Sequence, residues 1–184
     1  GGATAGAGGS LNCNVTASYG PITFAADTQQ AVAYQDTALD AIPGEVDWDA
    51  TLNGDAKPDV LGFSFASGVP PFDNGLMPMN SIDLSGMVDY RSCGACVILI
   101  AHADPAISNL LAAGDDYIAT SGTLKLTATP TYPLSASSRI TGTLTNVVFK
   151  HVTINPTTFV TTDVDACKIT LSSATFDSVV TQGM

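Results

Sequence analysis

The sequence predicts an all-β domain, mainly antiparallel, in a β-sandwich or jelly-roll-like arrangement with one short helix. Three observations carry that expectation. Only 12% of the 184 residues are charged, about half the usual share, and Thr, Ser, Asn and Gly supply the missing polarity. Those residues favour strands and turns over helices. In the C-terminal half, Leu124, Leu126 and Ala128 alternate with Thr123, Lys125 and Thr127, the period of a half-solvated antiparallel strand. Turn signals also recur at the short intervals of a sandwich.

Taken in order, Gly1-Gly2-Ala3-Thr4-Ala5-Gly6-Ala7-Gly8-Gly9-Ser10 reads as a flexible Gly/Ala arm, and residues 11–184 as a single domain. Asn12 to Phe24 reads as a strand, a turn at Tyr19-Gly20-Pro21, and a second strand. Gln30 to Gln35 is a further short strand. Asp36 to Asp59 reads as a loop-rich acidic segment around Trp48, the only Trp. In Val60 to Phe65, Leu61, Phe63 and Phe65 share one face, with Gly62 and Ser64 opposite. Pro70, Pro71, Gly75 and Pro78 make residues 68–80 a loop. The helix is Asp104 to Gly114: Asp104 caps it, Pro105 fits its first turn and Gly114 ends it. Asp115-Asp116 then reads as a solvated turn. Ile140 to Ile154, Thr157 to Thr162 and Cys167 to Phe176 complete the strands.

Charge narrows the partners. Seventeen acids, sixteen of them Asp, face six bases, for a net charge of −11. Nucleic acid and anionic lipid are disfavoured, because phosphate neutralisation needs Lys and Arg. The acidity is local. Residues 1–89 hold 11 acids and one base, Lys57, whereas residues 90–184 hold 6 acids and 5 bases. It is densest between Asp36 and Asp59. No apolar run approaches the ~18 residues of a membrane span, so no span is expected, with a lipid anchor upstream of Gly1 left open. The small-residue opening without an initiator Met predicts an exported chain that has lost a leader, secreted or at the cell surface.

Four cysteines, Cys13, Cys93, Cys96 and Cys167, suit disulfides in that compartment. Three pairings are open. Cys13–Cys167 with Cys93–Cys96 is preferred, because Cys13 and Cys167 lie in matching strand-like patterns near the two ends. Cys93-Gly94-Ala95-Cys96 has redox spacing. The apolar run Val97 to Ile100 that follows reads as a buried strand, not the helix N-terminus that lowers a thiol pKa.

The sharpest constellation is Leu52-Asn53-Gly54-Asp55-Ala56-Lys57-Pro58-Asp59. It resembles the calcium loop of FG-GAP-type repeats, and the resemblance implies Asn53, Asp55 and Asp59 as oxygen ligands. Calcium wants six to eight such oxygens. Thr51 stands where that family has its first Asp, Ala56 stands where it has a Gly, and there is one copy rather than a propeller of repeats. The competing reading is an acidic turn whose side chains cap their own backbone. The cofactor expectation is therefore none, or calcium. Catalytic signals are thin, and no enzyme is expected. His102 with Asp104 lacks a nucleophile elbow. Asp47 and Asp49 flank Trp48, which reads as a core anchor.

Trp48-x-x-x-Leu52-Asn53-x-Asp55-x-x-Pro58-Asp59-Val60-Leu61 resembles a stretch of uncharacterised secreted proteins and lipoproteins of myxobacterium-type bacteria. So do Tyr90-x-x-Cys93-Gly94-x-Cys96-Val97, Ala119 to Leu124, and Gly142 to Val147. The resemblance spans about residues 46–176. It implies export, disulfides and a β fold, and no activity.

Together these readings predict an extracellular structural or surface protein. It would assemble with copies of itself into a filament or layer, through strand pairing by the arm, residues 1–10. The alternative is a calcium-stabilised adhesion or ligand-binding β-sandwich module that uses the acidic segment.

Overall fold

The computed structural model describes residues 13–35, 43–131 and 133–183. The arm from Gly1 to Ser10 and residues 36–42 of the acidic segment lie outside them. Among the described residues the fold is all-β, as the composition predicts. The strands are β1 (Ser18–Thr23), β2 (Gln29–Gln35), β3 (Pro43–Thr51), β4 (Val60–Ala66), β5 (Met79–Asp83), β6 (Ala95–Ala101), β7 (Asp115–Ala128), β8 (Arg139–Ile154) and β9 (Thr161–Gln182).

The ladder runs β1-β9-β2-β3-β4-β6-β7-β5, and β8 pairs with both β7 and β9. The sheet therefore closes on itself through β9, β2, β3, β4, β6, β7 and β8. β1 and β2 run parallel to β9, and every other pair is antiparallel. The three longest strands, β7 to β9, carry register breaks, for example between Ala119 and Ser121 and between Lys150 and Val152. Such bulges bend a strand and raise its twist, which lets a sheet curl. Closure leaves only β1 and β5 at the ends of the order.

Alternation fills the inside. Trp48 stacks on Phe63 with centroids 4.3 Å apart, and Phe24 and Phe176 pack on it at 5.2 and 5.3 Å. The buried indole Nε1 donates to Gln29 Oε1 at 3.1 Å, so its polar atom is satisfied. Leu61, Phe65, Val97, Leu99, Leu144, Phe149, Ile169 and Leu171 belong to the same main core. A second, smaller core lies outside the sheet, where Ile98, Ile100, Ile118, Val152 and Ile154 are covered by Tyr90, Leu110 and Leu111. β4 and β6 are thus buried on both faces, apart from half-buried Ala66.

Four local expectations are corrected. Tyr19-Gly20-Pro21 is not a turn, because β1 runs straight through it beside Thr170–Thr175 of β9; Pro is tolerated there in a strand at the end of the ladder. The acidic segment is not all loop: its second half is β3, with Val46, Trp48 and Ala50 buried inside. Asp104 to Gly114 is not a helix and contains only a 3-10 turn at Leu110–Ala112. Asp104 does cap Ala106 N at 3.0 Å, but its own N–H donates to Ala113 O at 2.8 Å. A continuous helix would hold those ends about 14 Å apart. Gly114 permits the closure, since a Cβ there would lie 2.3 Å from Ala101 O. Finally, of the strand expected over Thr157 to Thr162 only Thr161 and Thr162 are strand, at the start of β9, and Asn155 to Val160 is a turn. Asn155 Oδ1 accepts from Thr157 and Thr158 N, and Asn155 O accepts from Phe159 N.

Candidate functional site

The acidic loop folds inward. Asp59 is only 3% exposed. Its Oδ1 accepts from His102 N at 2.9 Å, and its Oδ2 accepts from the Tyr19 hydroxyl and from Asn53 Nδ2. Asp59 N donates back to Asn53 Oδ1 at 3.1 Å, and Leu52 N donates to Asp59 O at 2.7 Å. Asn53 and Asp59 therefore face each other across the turn, while Asp55 is exposed. A cation using all three would have to displace these bonds. Among the described residues no three His, Cys, Asp or Glu side chains group closely enough to hold a metal ion.

His102 and Asp104 do not act together. His102 Nδ1 lies 3.4 Å from Asp115, and Asp104 pairs with Lys57 at 3.1 Å. His151 lies 2.9 Å from Asp165 and stacks on Tyr117 at 4.7 Å. The cysteines pair as Cys13–Cys167 and Cys93–Cys96, with Cα atoms 5.7 and 5.3 Å apart. The first ties the chain just before β1 to β9. The second closes the turn into β6.

A groove of about 840 Å³ lies on the outer face of β2, β3 and β4. Its floor follows from strand alternation. With Val46, Trp48 and Ala50 inside, Glu45, Asp47 and Asp49 must point out. Register places Asp47 opposite Ser64 and Asp49 opposite Gly62. The Ser64 hydroxyl donates to Glu45 Oε1 at 2.7 Å, and Asp47 and Tyr90 stand beside it in the same groove. Gln30 Nε2 donates to Asp49 Oδ2 at 3.0 Å. Tyr34, Tyr90 and Phe159 stand on the walls, and the Tyr90 and Phe159 centroids are 6.0 Å apart. Phe159 takes a positive φ of 59°, an uncommon conformation for a bulky side chain.

This groove was the part missed in the sequence. The signal was present: Glu45-Val46-Asp47-Trp48-Asp49-Ala50 alternates strictly, which is a strand with an acidic face. Comparison with protein-family models, curated proteins and solved structures finds no match to this chain.

The floor is electrostatically unfavourable as it stands. Burial, reinforced by the Glu45 charge, pushes Asp47 up to about 6. Burial also raises Asp49, against the Gln30 bond. Among the described residues none of Glu45, Asp47 and Asp49 is in an ion pair. Beneath Tyr90, Asp116 is 6% exposed and is likewise pushed up to about 6 by burial. Its Oδ2 accepts from Ile154 N at 2.8 Å, but Oδ1 has no hydrogen-bond partner among the described residues. It is a buried strand residue rather than part of a solvated turn.

These carboxyls set the pH dependence of stability. Their folded pKa values lie above the unfolded ones, so between about pH 4 and pH 6 the folded chain holds protons that the unfolded chain has released. Stability therefore falls as pH rises through that window. Asp104, Asp165 and Asp177 are shifted down by hydrogen bonds and cationic partners, and their support is lost as pH falls through their folded values. The expected result is a melting temperature highest near about pH 4. Asp47→Asn should stabilise the chain at neutral pH by roughly 1–2 kcal/mol, after discounting for solvent contact. Calorimetry across pH checks this. A melting temperature that climbs from pH 5 to neutrality would overturn it.

Proposed function

We propose that this chain is an extracellular ligand-binding module whose site is the groove over β2, β3 and β4. The observation that carries the reading is a concavity of about 840 Å³ floored by carboxyls that the described residues leave without a cationic partner. Its volume suits a small ligand, and clefts with shifted carboxyls are where function concentrates. The two disulfides support an oxidising compartment.

Self-assembly through the arm, residues 1–10, is the competing proposal. The ladder offers it little. β1 contains Pro21, and β5 has a register break between Met79 and Ile82; both features blunt strand addition. Calcium at Asn53, Asp55 and Asp59 would be a separate property of the β3–β4 turn, outside this groove.

The test is ¹⁵N NMR on the full chain with a library of charged and neutral fragments. Amide shifts should concentrate at Gln30, Asp47, Asp49, Ser64 and Asn109. No perturbation, or perturbation confined to other surfaces, would sink the reading.

A further inference from the structure

The occupant of the groove can be narrowed by spacing and charge. Glu45, Asp47 and Asp49 are every second residue of one strand, so neighbours stand about 7 Å apart along it. The charges form a line rather than a cage. A single metal ion needs its ligands around one centre. A line of carboxylates suits positive charges repeated along a flexible chain.

The lining points to the same chemistry. The walls themselves carry aromatic rings, Tyr34, Tyr90 and Phe159, which attract ammonium groups by their faces and pack against methylenes. Arg91 is the sole base lining the groove among the described residues, and it makes no ion pair with a described acid. A neutral ligand would leave the row of carboxylates uncompensated.

We propose that the groove binds a linear aliphatic polyamine, with its ammonium groups on Glu45, Asp47 and Asp49 and its methylene stem along Tyr90 and Phe159. This rests on the groove being the ligand site. Asp47 is faced by Glu45 and Asp49 from β3, Tyr34 from β2, Ser64 from β4, and Tyr90 and Arg91 from the segment before β6. With its carboxyl held up to about 6, cation binding draws off a proton near that pH. Affinity therefore rises as pH rises through about 6.

The experiment is isothermal titration of the full chain with spermidine, below and above pH 6, in low and high salt, and in two buffers of different ionisation enthalpy. Binding should be several-fold tighter at the higher pH, weaken with salt and release protons. A double substitution, Glu45→Gln with Asp49→Asn, should weaken it at least tenfold while the melting temperature does not fall. The single Asp49→Asn variant, which keeps an acceptor for Gln30, should give an intermediate loss. No binding of spermidine, or unchanged binding in both variants, would overturn the polyamine. If neutral fragments still perturb the groove amides in that case, the ligand-binding reading stands alone. If they do not, both fall.

Discussion

Replacing Asp59 by Ala lowers stability by about 3–5 kcal/mol, the range for breaking a buried, fully engaged charged group. Asp59 is 3% exposed and joins three parts of the chain: Tyr19 of β1, Asn53 of the β3–β4 turn and His102 after β6. Truncation leaves the His102 N–H, the Tyr19 hydroxyl and the Asn53 amide without their acceptor in a site closed to water. For a chain of this size the loss corresponds to roughly 10 °C or more in melting temperature. Asp59→Asn should cost less, about 1–2 kcal/mol, because the amide oxygen can still accept from His102 N while its NH₂ donates to the Tyr19 oxygen. Thermal and urea unfolding of both variants check the order. An Ala variant within about 1 kcal/mol of the parent would mean the clamp contributes little. Adding calcium or a chelator to the parent should move its melting temperature only slightly. A large shift would instead assign Asn53, Asp55 and Asp59 to the ion.

Removing the Cys13–Cys167 bridge as a paired Ala substitution costs about 5 kcal/mol in the chain-entropy model. The bridge closes a loop with a sequence separation of 154, and loop-closure entropy grows with the logarithm of loop length. It also fastens the chain just ahead of β1, whose parallel ladder with β9 holds Tyr19 in place to meet Asp59. The same substitution at Cys93 and Cys96, three residues apart, should cost under ~2 kcal/mol by the same model. The two pairs are thus internal controls for each other. Equal losses at both bridges would show that native-state packing, rather than restriction of the unfolded chain, sets their contribution.

Strands whose two faces differ in polarity were legible one residue at a time. Leu61, Phe63 and Phe65 share the interior face, and Leu124 and Leu126 alternate with Lys125 and Thr127 as read. The preferred one of the three cysteine pairings is the one formed, although Cys13 lies ahead of β1 rather than in a strand of its own. The groove was less so. A high density of Asp around Trp48 suggested a loop, although the odd and even positions of Glu45 to Ala50 already separated acids from apolar residues. Composition outweighed period there, and burial of Trp48 against Phe63 and Phe176 shows that period was the stronger signal.

By itself, the amino-acid order determined the all-β class and the interior faces of the strongly alternating strands, and it favoured one of three cysteine pairings. These follow from local periodicity and from where polar and apolar atoms can lie along an extended chain. Only the tertiary structure decided that the sheet closes through β8, that Asp104 to Gly114 folds back on itself, and that Tyr19, Asn53 and His102 converge on Asp59. Those outcomes depend on contacts between residues far apart in the chain, such as Tyr19 with Asp59 and Asp104 with Ala113. Pairing register and loop closure are settled by the whole core at once, and no window of sequence contains that information.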